Sequence, residues 1–194
     1  METISFEELK NSYSNSPYIP YAELLNTTEW PIKREQILIR DNFECQKCNK
    51  RKTIDHYDEK LRKHFHLWFG EEEWIRINNT SDRVLAPKVI VSDKPYHLEI
   101  HHKFYIEDRL PWDYENENLM TLCNWCHKEF HENNDVELYT KDGQSKIRLD
   151  VCKRCGGMGW FREYRHINNG ICFECGGEKF NQILIKQYNL NMNI

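Results

Sequence analysis

The alternation Tyr96-His97-Leu98-Glu99-Ile100-His101 puts Tyr96, Leu98 and Ile100 on one face of a strand and His97, Glu99 and His101 on the other. Adjacent His101 and His102 therefore point to opposite faces and can take different jobs. A polar loop with Pro111-Trp112-Asp113-Tyr114 follows, and Asn118-Leu-Met-Thr-Leu-Cys123 reads as a short second strand. Asn124 to Asn133 reads as a helix, on which His127 and His131 stand four apart on one face and can both bind one metal. The local order is strand, loop, strand, helix.

Outside this stretch the pattern is weaker. Residues 1–30 contain Pro17, Pro20 and several Asn, Ser and Thr, and read as an irregular lead-in. Pro31 to Asp41 predicts a helix with Pro in its first turn, which delivers the chain to Cys45 and Cys48. Leu61, Phe65 and Trp68, at i, i+4 and i+7 and ended by Gly70, predict an amphipathic helix over 58–69. Val84 to Val91 is strand-like but interrupted by Pro87. His56, His64 and His66 read as surface or packing residues, and Trp112 as a loop anchor. Phe180, Ile183, Leu184 and Tyr188 predict a C-terminal amphipathic helix that packs or dimerises.

The cysteines change the picture most. All eight fall into four C-x-x-C pairs: Cys45/Cys48, Cys123/Cys126, Cys152/Cys155 and Cys172/Cys175. Each C-x-x-C turn aims two thiolates at one point, and two turns complete a tetrahedral zinc site, so four pairs predict two structural zincs. The last two pairs, each followed by Gly-Gly, form a quasi-repeat that reads as one zinc-ribbon-like module. It resembles the C-x-x-C-G-x-G repeats of J-domain chaperones, with only two repeats. The first two pairs then close across a long insertion and hold the N-terminal region against the histidine motif.

Length and composition set the frame. The chain has 194 residues, 39% hydrophobic, 30% charged and 13% aromatic, which suits one domain or a domain with a small module and not a disordered chain. No apolar run is long enough to span a bilayer and no signal-peptide pattern opens the chain, so a cytoplasmic protein without a membrane partner is the expectation. The formal net charge of −4 does not advertise nucleic-acid binding. Local runs differ: residues 141–170 hold seven Lys/Arg against three acids, and a second basic run spans Lys47 to Lys63.

Leu98-Glu-Ile-His101-His102-Lys103, then Glu117-Asn118-Leu-Met-Thr-Leu-Cys123-x-x-Cys126-His127, then His131, together with Cys45-x-x-Cys48, resemble the zinc-containing branch of the HNH, or ββα-metal, nucleases. The resemblance covers roughly residues 33–133. It implies an α+β fold with a small ββα-metal core and structural zinc, followed by the zinc-ribbon module. The expected organisation is a lead-in over 1–30, an HNH domain over 31–140 with an insertion at about 55–95, the ribbon over 141–178 and a helix over 179–194. The implied activity is metal-dependent hydrolysis of DNA phosphodiester bonds. His102 would be the general base and Asn118 would orient it, while His101, His127 and His131 would hold one catalytic divalent metal. Many family members carry Asp or Asn where this chain has His101 and His127. The all-imidazole set is softer and favours Mn²⁺, Ni²⁺, Co²⁺ or Zn²⁺ over Mg²⁺, which stays feasible with water and phosphate as further ligands. Lys103 and Arg109 beside the motif, and Lys153, Arg154, Arg162 and Arg165 in the ribbon, are the candidate DNA contacts. The competing reading is a non-catalytic zinc protein that binds nucleic acid or another protein, and a homodimer is open in either case.

Overall fold

The computed structural model describes residues 3–16, 18–77, 82–148 and 150–180; the Arg162 side chain and most of the helix expected over 179–194 lie outside them. The fold is α+β. Among the described residues there are twelve helices and strands, named below in chain order, and three short 3-10 turns.

The lead-in is more ordered than its composition predicts. Helix α1, Phe6–Ser12, opens on a capping box in which the Ser5 hydroxyl accepts from Glu8 N and the Glu8 carboxylate accepts from Ser5 N. Helix α2, Tyr21–Leu24, follows. Leu9, Ile19, Tyr21 and Leu24 are buried in one core with Tyr105, Leu110, Val136, Leu138 and Phe180. The expectation of an irregular lead-in failed because the Ser5-x-x-Glu8 signature is local and strong, whereas the prolines flank the helices without entering α1.

Helix α3, Glu29–Arg40, carries Pro31 in its first turn, where the amide has no partner within the helix. It buries Ile37 and Leu38 against strands β4, Leu98–His102, and β6, Leu119–Cys123. The two strands pair antiparallel, with His101 opposite Met120 and His102 opposite Leu119. Asp41, at the end of α3, accepts Thr121 N at 2.9 Å and the Arg40 guanidinium at 2.8 Å, which locks the helix to the middle of β6. Helix α4, Asn124–Asn133, follows β6 without a loop.

The insertion folds as an antiparallel sheet. Strands β1, Ile54–Asp58, β2, Lys63–Arg76, and β3, Arg83–Val91, lie in that order, with β2 in the centre. This overturns the helix expected over 58–69. The i, i+4, i+7 spacing of Leu61, Phe65 and Trp68 is real, but Lys63-His-Phe-His-Leu-Trp-Phe is rich in aromatic residues and alternates, and pairing on both sides decides the outcome. Pro87 fits because β3 is an edge strand and a bulge in β2 lies opposite it, between Phe69 and Glu72.

Strands β5, Phe104–Ile106, β7, Glu137–Tyr139, and β8, Lys146–Ile147, form a small mixed sheet that leads into the cysteine-rich segment. That segment is not a loosely appended module. Phe180 bridges Val151 and is fully buried in the core built by α1 and α2; Glu178 accepts Tyr21 N at 2.7 Å; Lys179 donates to the Tyr105 hydroxyl at 2.6 Å. Gly177 passes so close to Ala22 that any Cβ there would sit 2.6 Å from the Ala22 methyl.

Candidate metal centre

Four sulfurs meet at each of two points. Cys45, Cys48, Cys123 and Cys126 form one group, and Cys152, Cys155, Cys172 and Cys175 the other. Sulfur–sulfur separations are 3.7 Å for Cys48–Cys123, 3.8 Å for Cys152–Cys172 and 3.7 Å for Cys155–Cys175. A Zn–S bond of about 2.3 Å at the tetrahedral angle puts sulfurs about 3.8 Å apart, whereas a disulfide would need about 2.05 Å. Both groups can therefore hold zinc. The Cys175 thiol and nearby glycine amides hold Cys155 down at about 5, while Cys155 and burial push Cys175 up. Sulfurs crowded this closely cannot all ionise unless a cation offsets their charge.

Cys123 does two jobs. It ends β6 and caps α4, its sulfur accepting Cys126 N at 3.4 Å. The sulfur group thus sets where α4 begins and so where its histidines lie.

One turn into α4, His127 and His131 face His101 from β4. Their ligand atoms all lie within 4.8 Å of one another, and the two α4 Nε2 atoms are 3.1 Å apart. Metal–nitrogen bonds of about 2.05 Å would put neighbouring nitrogens about 2.9 Å apart in an octahedron and about 3.3 Å apart in a tetrahedron. His101 is 2% exposed and among the described residues its Nε2 has no hydrogen-bond partner, an orphaned lone pair or proton of the kind a cation would satisfy. Burial and the neighbouring imidazoles push His101 down to about 2; burial and His127 push His131 down to about 3. At neutral pH both rings are in the uncharged form that ligates metal.

Behind His127 stands Glu99, whose carboxylate accepts the Nδ1 proton at 2.6 Å in a largely buried pair. This fixes the tautomer, leaving Nε2 as the atom turned to the other two rings. The sequence reading placed Glu99 on the His101 face and gave it no role. Its alternation with His101, one strand away from a helix with two histidines on one face, was the available signal.

His102 goes the other way. Its ring lies between Trp30, 5.4 Å away at 16°, and Tyr105, 5.3 Å away at 24°, with the Tyr114 ring edge-on at 4.8 Å. Its Nε2 donates to the Pro111 carbonyl at 2.9 Å, so the neutral ring keeps its lone pair on Nδ1. Burial, with Lys179 adding to it, pushes His102 down to about 3, and the residue is 2% exposed. Asn118 acts through its backbone: its carbonyl accepts Lys103 N at 2.9 Å and so pins the residue after His102.

The ribbon closes over the histidines. Gly157 lies against His131, where a Cβ would stand 3.4 Å from Nδ1, and its φ of +84° is a conformation only glycine adopts readily. Beside it a groove of about 670 Å³ runs between α4 and the ribbon, with His131, Glu99 and Lys128 on one side and Lys153, Arg154 and Trp160 on the other. Of the expected DNA contacts, Lys153 and Arg154 therefore flank the histidine centre. Arg154 is also held over the Phe173 ring at 3.7 Å. Lys103 is exposed beside His102, Arg109 is half-buried over Tyr114 at 5.5 Å, and Arg165 is exposed. Among the described residues no helix is long and apolar enough to cross a membrane. In comparison with known proteins, no family model, no curated protein and no solved structure matches the chain.

Proposed function

We propose that this protein is a metal-dependent endonuclease of the HNH type that hydrolyses DNA phosphodiester bonds. The observation that carries the reading is the convergence of His101, His127 and His131, with Glu99 orienting His127, on a strand–strand–helix unit bounded by a four-cysteine group. A divalent metal held by the three imidazoles would supply Lewis-acid stabilisation of the charge that develops on the phosphate. The chain's own part is positional. Glu99 holds His127, Cys123 sets the start of α4, and Lys153 and Arg154 line the groove through which a phosphate backbone would approach His131. His102 would accept the proton of the attacking water at Nδ1, since Nε2 is committed to Pro111.

A second reading is favoured by one observation. His102 is shut between Trp30 and Tyr105, so a zinc-stabilised module that binds nucleic acid or protein would use its histidines for structure alone. Supercoiled-plasmid cleavage separates the two, with the wild type, His102→Ala and His127→Ala each in EDTA, Mg²⁺, Mn²⁺ and Ni²⁺. Metal-dependent nicking that both substitutions abolish, with zinc content and the circular-dichroism spectrum kept in His102→Ala, supports the nuclease. Absence of cleavage by the wild type in every metal, with plasmid bound, supports the binding module.

A further inference from the structure

The three-stranded sheet β1–β2–β3 presents a face that is largely exposed among the described residues. Along β3 the odd-numbered residues share one face, and the register pairs them with Leu67–Val91, Phe69–Val89, Glu72–Pro87, Trp74–Leu85 and Arg76–Arg83. The bulge in β2 makes this possible. Its extra residue shifts the alternation by one, so Phe69 and Trp74, five apart in sequence, come to the same side. Most large apolar residues on this side are highly exposed, Leu85 48%, Phe69 49%, Val89 55%, Val91 61% and Trp74 66%, while Leu67 is half-buried. On the opposite side Val84, Ile90 and Ile75 are 40 to 44% exposed, and Trp68 is turned inward, its indole N–H on the Arg51 carbonyl and its ring against Tyr96.

A sheet with this much apolar surface in water marks a binding face. Its edges are poor places for a partner strand, because β1 is five residues long and β3 carries Pro87. The order of charges along the open face identifies the occupant. Moving outward come Glu72, then the Trp74–Leu85 pair, then Arg76 beside Arg83. Two arginines directly across a strand pair repel each other unless an acid lies between them. A two-fold axis through the Trp74–Leu85 row turns the pattern end for end. Each Glu72, two residues or about 7 Å from that row, then falls over the Arg76–Arg83 pair of the other copy, and the two apolar centres meet.

We infer that this open sheet face is a self-association surface, on which a second copy of the chain packs face to face about the Trp74–Leu85 row. The patch is about 27 Å long and two to three strands wide, at the small end of specific interfaces, so pairing is reversible.

Sedimentation velocity of the zinc-loaded full chain, from low micromolar to several hundred micromolar, reads the proposal. The wild type should rise from 23.6 kDa toward twice that mass with concentration. Trp74→Glu should stay monomeric with an unchanged circular-dichroism spectrum, since the residue is exposed. Charge-reversed chains give the sharper test. Glu72→Arg alone and the double variant Arg76→Glu, Arg83→Glu alone should each pair at least about tenfold more weakly than the wild type. Their equimolar mixture should pair again, because both ends of the mixed dimer are then oppositely charged. A wild type that is monomeric throughout, or variants that associate as the wild type does, would overturn the inference, as would a mixture no stronger than its components.

Discussion

Removing the Glu99 carboxylate tests whether the three histidines form a metal site or a packing cluster. Glu99→Ala takes away the acceptor that sits 2.6 Å from His127 Nδ1 and leaves that N–H without its partner in a largely buried place. The imidazole then rotates more freely and Nε2 no longer faces His131 Nε2 by default. Loss of such an orienting carboxylate weakens metal binding by about 10- to 100-fold, or about 1.4–2.8 kcal/mol. At a metal concentration of about 100 times the wild-type Kd, binding stabilises the native state by about 2.7 kcal/mol. In a chain of this size that raises Tm by about 5–11 °C. A hundredfold loss of affinity cuts the stabilisation at the same concentration to about 0.4 kcal/mol, a rise of only about 1–2 °C. The assay is differential scanning fluorimetry with zinc already in the cysteine sites, titrated with Ni²⁺ or Mn²⁺, and calorimetry for the affinity. Comparing each variant with and without added metal removes the direct cost of the lost hydrogen bond. Glu99→Gln, which keeps an acceptor and loses the charge, should fall between. A wild type with no metal-dependent shift would refute the reasoning, and so would a Glu99→Ala variant that binds within twofold of it.

Two further outcomes follow from other contacts. Burial alone would raise Asp41, but the Arg40 guanidinium and the Thr121 amide outweigh it and hold the carboxyl below its ordinary range. Its contribution is therefore complete above a pH of about 3.9 and fades as pH falls through the lower folded value. Asp41→Asn should lower urea stability at neutral pH by about 2 kcal/mol, and the gap from the wild type should narrow in strong acid, as denaturation at both pH values would read. Gly157→Ala should cost about 1–2 kcal/mol through its left-handed backbone and press on Val151 and His131, so Tm and metal affinity should fall together.

The strands and helix that carry the histidines were legible because their signals are short-range. Alternation over Tyr96–His101, the i, i+4 pair His127 and His131, and the C-x-x-C spacing each occupy a handful of residues. The two sulfur groups were legible for the same reason, and the structure assembles them as the spacing predicts. What was not legible depends on partners far along the chain. Leu61, Phe65 and Trp68 satisfy a helical period, and only the pairing of Phe65 and Leu67 with β1 and of Trp68 with β3 makes this segment a strand. The aromatic box around His102 draws Trp30, Tyr105 and Tyr114 from three separate segments. The ribbon's merger with α1 and α2 rests on Gly177, Glu178 and Phe180 meeting residues more than a hundred positions earlier.

Cys123 joins two centres through one atom, since its sulfur belongs to the four-cysteine group and also caps the helix that presents His127 and His131. The two sites are consequently not independent of each other. The sulfur site is the foundation and the histidine site is built upon it. A chain made under zinc starvation would contain every histidine and yet lack the corner that brings them together. A metal offered to the histidines alone would not repair that defect. Zinc at the sulfurs would then be the condition for whatever the histidines do.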